Sequence, residues 1–155
     1  MNTRRLVVMR SLWLGVGAAA ILAAGCAGLS THKLTMLTGA QEVPPVTTKG
    51  SGRADISVDS FKCPSAGSSN NCPTVLGTVT TSGMTGTVAE IHQGAAGQNG
   101  PVIVSLIKTD DHTWSIPIDT TLTDAQNDAY WAGKLYVIVA TSAHKDGEIR
   151  AQLRP

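Results

Sequence analysis

The chain has 155 residues, room for one domain and a targeting segment, and its 12 Lys and Arg against 11 Asp and Glu give a formal net charge of +1. Arg4, Arg5 and Arg10 precede Cys26 and no acid does, so the part from Cys26 onward holds 9 basic and 11 acidic residues, a balance of −2. That balance excludes the basic footprint of a nucleic-acid-binding protein.

Residues 1–25 read as a lipoprotein signal peptide. Arg4, Arg5 and Arg10 form a positive start, and Ser11 to Leu22 is uncharged and mostly apolar. Leu22-Ala23-Ala24-Gly25-Cys26 resembles a bacterial lipobox, with Ala23 where Leu is usual. It predicts cleavage before Cys26 and lipid, palmitate included, on the mature Cys26. An ordinary signal peptide cut near Ala27, or an uncleaved anchor over Ser11 to Thr31, are the alternatives. Thr3-Arg4-Arg5 hints at twin-arginine export, with the general secretory route as default. The domain is then expected in the cell envelope, in the periplasm or outside the cell. The membrane is its first partner through Cys26, and residues 26–33 are a tether.

A β domain is expected over 34–154. Leu34 to Leu37 reads as a strand, and Pro44-Pro45 makes the next segment an edge or extended connection, because proline supplies no ladder N–H. In Gly52 to Asp59, Ala54, Ile56 and Val58 alternate with polar residues, the pattern of a half-buried strand. Cys63 and Cys72 bound a loop without apolar periodicity. As an even pair in an exported domain they are expected to form a disulfide, contributing roughly 2–3 kcal/mol.

Thr74 to Thr81 is rich in Thr and Val and reads as another strand. Thr85 to His92 alternates, with Thr87, Ala89 and Ile91 on one face and Val88, Glu90 and His92 on the other. Gln93 to Gly100 is a glycine-rich loop; it lacks the Lys and following helix of a phosphate loop and is expected to turn through positive φ. Pro101 to Ile107 is apolar enough for a strand buried on both faces. Asp110 to His112 turns, and Trp114 to Pro117 is a short extended piece. One helix is expected, about Asp124 to Ala132. Thr123 is its N-cap, Gln126 closes a capping box and Gly133 is the C-terminal stop; Ala125, Ala129, Tyr130 and Ala132 are its packing side. Lys134 to Thr141 and Glu148 to Leu153 are the last strands, and Trp114, Trp131 and Tyr136 are assigned to the core. Short strands separated by turn residues argue an all-β antiparallel sandwich or barrel.

Four blocks of this sequence together resemble a CHRD domain, the repeat first named for chordin and common in bacterial exported proteins. They are Leu37 to Val46, Glu90 to Pro101, Leu122-Thr123 with Gly133 to Val137, and Gly147 to Leu153. The resemblance implies a Greek-key sandwich or barrel with one short helix before the penultimate strand. The family typically has His-x-His where this chain has Glu90-Ile91-His92, and Asn-Val-His where it has Ile138-Val139-Ala140.

If these strands are neighbours, Glu90 and His92, Ile138 and Ala140, and Glu148 and Arg150 project in pairs from one surface. Two outcomes are open. Glu90, His92 and Glu148 could hold Zn or Fe, or Cu by analogy with superoxide dismutase sandwiches, in a metal-binding or redox domain. Alternatively, and preferred, they form a polar patch without a cofactor, in which Arg150 pairs Glu90 or Glu148. His112 and His144 read as solvated turn residues. No catalytic residue is assigned, since no Ser, Cys or Thr sits in a nucleophile context. The expected function is a non-enzymatic, envelope-anchored binding module for an envelope protein or matrix partner.

Overall fold

The computed structural model describes residues 34–62 and 71–155. The signal peptide, the tether, Cys26 and Cys63 lie outside the described residues, and with them the lipid attachment and the Cys63–Cys72 disulfide.

Among the described residues there are nine strands and one α-helix. The strands are β1 (Thr35–Thr38), β2 (Ser51–Lys62), β3 (Asn71–Ser82), β4 (Val88–Gln93), β5 (Val102–Ser105), β6 (Ile107–Asp110), β7 (Thr113–Ser115), β8 (Leu135–Ala140) and β9 (Ile149–Gln152); α1 is Asp124–Trp131. All pairs are antiparallel, in the order β5-β4-β8-β9-β1-β2-β3-β7-β6. The strands at the two ends of that order, β5 and β6, are separated in sequence by Leu106 alone. Leu106 N–H donates to Ala89 O of β4 at 2.9 Å. The sheet thus bends back on its own start and nearly closes, which leaves little free edge. An all-β antiparallel domain with one short helix before the penultimate strand is what the sequence predicts.

The core follows the period of two. Ala54, Ile56 and Val58 of β2, and Ala89 and Ile91 of β4, are buried. Every residue of β8 is buried, for two different reasons. Leu135, Val137 and Val139 enter the hydrophobic core. Tyr136, Ile138 and Ala140 point to the outer face and are buried there all the same.

Three expectations need correction. Pro101 to Ile107 is not one buried strand: Val102 and Ile107 are exposed and only Val104 is buried, because the chain bends at Leu106 and β5 has a single sheet neighbour. In α1 the capping box forms as expected, with Gln126 N–H donating to Thr123 Oγ1 at 3.3 Å and Thr123 N–H to Gln126 Oε1 at 2.9 Å. Its packing side, however, is Ala129 and Tyr130; Ala125 and Ala132 are exposed. Trp131 is also exposed, next to a Tyr130 that takes the inward position, whereas Trp114 is fully buried.

Candidate functional site

β4, β8 and β9 are neighbours, and their register aligns Glu90 with Ile138 and Arg150, and His92 with Tyr136 and Gln152. These residues share the outer face because alternate strand residues do. The face would be wet, but it is roofed by the segment after β1, the loop between β4 and β5, and the turn between β8 and β9.

Arg150 holds the roof. It is 1% exposed. Its Nη1 donates to Asn99 Oδ1 at 3.1 Å, and its Nη2 to Gln98 O at 2.9 Å and Ala95 O at 3.3 Å. The guanidinium carbon lies 3.5 Å from the Tyr136 ring centroid, a cation–π contact. Burial lowers the Arg150 pKa, against the opposing pull of Tyr136 and Glu42, but a guanidinium stays charged. Gln152 Nε2 adds donors to Gly94 O, Gly133 O and Leu135 O at 2.8–3.0 Å. Gly100 N–H donates to the Tyr136 hydroxyl at 2.9 Å, and Asn99 Nδ2 to Val43 O at 2.8 Å. The loop expected to turn through positive φ does so only at Gly97. Gly100 is required for another reason: a Cβ there would strike the Gln93 carbonyl.

These contacts correct the expected pairing. Arg150 bonds neither Glu90 nor Glu148; its partners are Asn99, Ala95 and Gln98 of the loop and Gln152 of its own strand. Glu148 is held elsewhere, its Oε1 accepting from Thr48 Oγ1 at 2.5 Å and its Oε2 from Thr141 Oγ1 at 2.6 Å. Burial pushes the Glu148 pKa up, but the hydroxyl donors of Thr141 and Thr48 and the nearby His144 together bring it below the ordinary value. The expected trio of Glu90, His92 and Glu148 is therefore not assembled. Among the described residues no group of three His, Cys, Asp or Glu side chains is placed to hold a metal ion. His112 is exposed in its turn, and His144 is half-buried beside Glu148.

Glu90 and His92 do meet, with Nε2 3.3 Å from Oε2. The His92 ring stacks on Tyr136 at 5.1 Å between centroids. Its Nδ1 is 2.9 Å from Gly100 O. A carbonyl only accepts, so Nδ1 carries the proton. In the neutral ring Nε2 is then a bare acceptor; it is buried and has no hydrogen-bond partner.

Beside them is a residue to which the sequence reading gave no role, Glu42. It is 6% exposed, and its Oε1 is buried without a partner. Burial pushes its pKa up to about 7, although the Arg150 charge and a bond from Val43 N–H oppose this. Gly147 makes its place: φ is +132°, and a Cβ would lie 2.5 Å from Glu42 Oε1. The only sequence signal for Glu42 was its position inside the first CHRD-like block.

Glu42, Glu90, His92, Asn99, Gly100, Tyr136 and Ile138 line a hollow of about 280 Å³, with the exposed Lys145 and Asp146 completing it.

A sequence model of the CHRD domain family matches residues 34–153. The chain belongs to the CHRD family. No curated protein and no solved structure matches it. In this CHRD domain each of the four sequence blocks contributes residues to the hollow or to the strands that carry it, while Leu122-Thr123 of the third block stands at the start of α1. Where the sequence resemblance implied additional His residues, this chain has Glu90 and Ala140. Glu90 and Ile138 line the hollow with His92, while Ala140 is buried on the same face.

Proposed function

We propose that this CHRD protein is an envelope-tethered binding module, held to the membrane through lipid on Cys26, that engages a partner at the hollow over β4, β8 and β9. The observation that carries the proposal is the pair of buried acceptors, Glu42 Oε1 and His92 Nε2, which have no hydrogen-bond partner and belong to two side chains that line the hollow. Buried polar atoms without partners are uncommon and costly. Three loops and Arg150 hold them in place, which is the preorganisation a binding site needs. Binding is favoured over turnover because the hollow lacks a nucleophile–base pair. His92 Nδ1 is committed to Gly100 O, and Nε2 faces a carboxylate rather than a hydroxyl or thiol.

The test is affinity capture from detergent-solubilised envelopes with the full chain. A partner retained by the native protein and lost by both Glu42→Gln and His92→Ala supports the function; equal retention by native and variant protein sinks it. Export and anchoring are tested separately. The full chain with Cys26→Ser should leave the membrane fraction or accumulate as precursor, and normal processing with unchanged membrane association would refute lipidation.

A further inference from the structure

The hollow has more acceptors than donors, and the surplus defines its ligand. Glu42 Oε1 and His92 Nε2 have no donor. Glu90 Oε2 faces the His92 nitrogen at 3.3 Å, and Glu90 Oε1 has only a long contact of 3.5 Å with Ser105 Oγ. When His92 is neutral and Glu90 ionised, two acceptors confront each other with no proton between them. The neighbouring groups do not correct this. The Tyr136 hydroxyl accepts from Gly100 N–H and donates to Gly100 O at 3.4 Å, and the Asn99 amide donates to Val43 O while its oxygen accepts from Arg150.

An anion is excluded by the same inventory. Arg150 is fully buried, does not line the hollow, and turns its guanidinium to Asn99, Gln98, Ala95 and Gln152. The one Lys or Arg of the lining, Lys145, is exposed and adjacent to Asp146. A guest must therefore bring several donors and no acceptor.

We infer that the hollow is a receptor for a primary ammonium group, whose three N–H donors are shared among Glu42 Oε1, Glu90 Oε2 and His92 Nε2. An ammonium is the compact group that offers three donors and no lone pair, and its charge compensates the two carboxylates. Glu42 is 94% buried, one oxygen is unpartnered, and it lines the cavity. The acceptors are therefore a built feature rather than a patch of surface acids. The alkyl stem of the guest would leave past Ile138, the aliphatic side chain of the lining. A lysine side chain on a partner protein and a free amine carry the same chemistry. This inference rests on the hollow being the binding site.

The test titrates the purified full chain, in detergent at about pH 8 so that Glu42 is ionised, and follows backbone amide shifts at Gly100 and Asp146. The probes are n-butylamine, n-butanol, butyrate and zinc chloride. Saturable shifts with butylamine and none with butanol or butyrate are expected. Glu42→Gln should weaken butylamine binding by about tenfold or more, the worth of one charge-assisted bond. Glu90→Gln serves the same purpose if the first variant does not fold. Tighter binding of Nα-acetyl-lysine amide than of spermidine identifies the lysine source, and the reverse order a free polyamine; either supports the assignment. Saturation by butyrate, by butanol, or by zinc without butylamine overturns it, as does unchanged affinity in both variants. An envelope partner lost by the Glu42→Gln variant but not displaced by butylamine would leave the binding function standing and overturn the ammonium assignment. Butylamine binding without any captured partner would do the opposite.

Discussion

Glu42 makes the stability of this domain depend on pH in a direction unusual for a carboxylate. Its pKa rises from the ordinary 4.5 to about 7 on folding, chiefly through burial. Between those values the folded chain binds more protons than the unfolded chain, so stability falls as pH rises and the loss is complete above the folded pKa. At about 1.4 kcal/mol per pH unit, this interval is worth roughly 3 kcal/mol. The hollow opens to water, so solvent screening reduces the expected penalty to about 2 kcal/mol. Glu42→Gln keeps the shape and removes the titration. Urea unfolding of the native and variant chains should give similar stabilities near pH 4. Near pH 8 the variant should be more stable, its midpoint shifted upward by about 1 M urea. Asp110 and Glu148, whose pKa values are lowered by hydrogen bonds that outweigh burial, lose their contributions only on acidification, below this window. They also cancel in the native-minus-variant difference. Parallel pH profiles for the two proteins would show that Glu42 does not titrate in this range, and the account of its burial would be wrong.

Three further substitutions test the loop anchor, the glycine beside Glu42 and the helix cap. Arg150→Met leaves Asn99 Oδ1 and Gln98 O without their donor and should destabilise the domain by at least about 2 kcal/mol. Amide exchange should accelerate in the 95–100 loop more than in β2 and β3, and a uniform change would argue against Arg150 as the loop's anchor. Gly147→Ala combines a φ of +132° with a Cβ 2.5 Å from Glu42 Oε1. A loss of about 1–3 kcal/mol in thermal unfolding is expected, together with a displaced Glu42 titration in carboxyl NMR. Thr123→Ala removes the cap at the start of α1 and should cost about 1 kcal/mol, read as a lower thermal midpoint with unchanged pH dependence.

What could be read in the sequence depended on whether a residue's environment is written locally. The alternation of Thr85 to His92 separated Ala89 and Ile91, which are buried, from Glu90 and His92 on the other face, because successive side chains must point to opposite faces; Thr87, read with the first set, is exposed ahead of β4. The capping box of α1 was equally local. β8 was harder: its apolar run conceals two environments, a core on one side and a loop-covered face on the other. The partners of Arg150 could not be found at all by looking for acids. Two of them are backbone carbonyls, which every residue carries and no sequence pattern marks. Glu148 was likewise claimed by Thr48, 100 residues away.

Glu42 combines both cases. The prolines beside it argued correctly that its segment stands outside regular strand pairing, since they cannot donate to the ladder. The chain instead makes a turn of 3-10 helix at Gly39–Gln41 and folds back, with Val46 N–H donating to Gly39 O at 2.9 Å. Asn99 then ties Val43 O to the opposite loop. The property that excludes the segment from the sheet leaves it available to roof the outer face and to place a carboxylate there. The prolines and Glu42 in the first block are thus two parts of one device: the former release the backbone from the sheet, and the latter uses that freedom to complete the hollow.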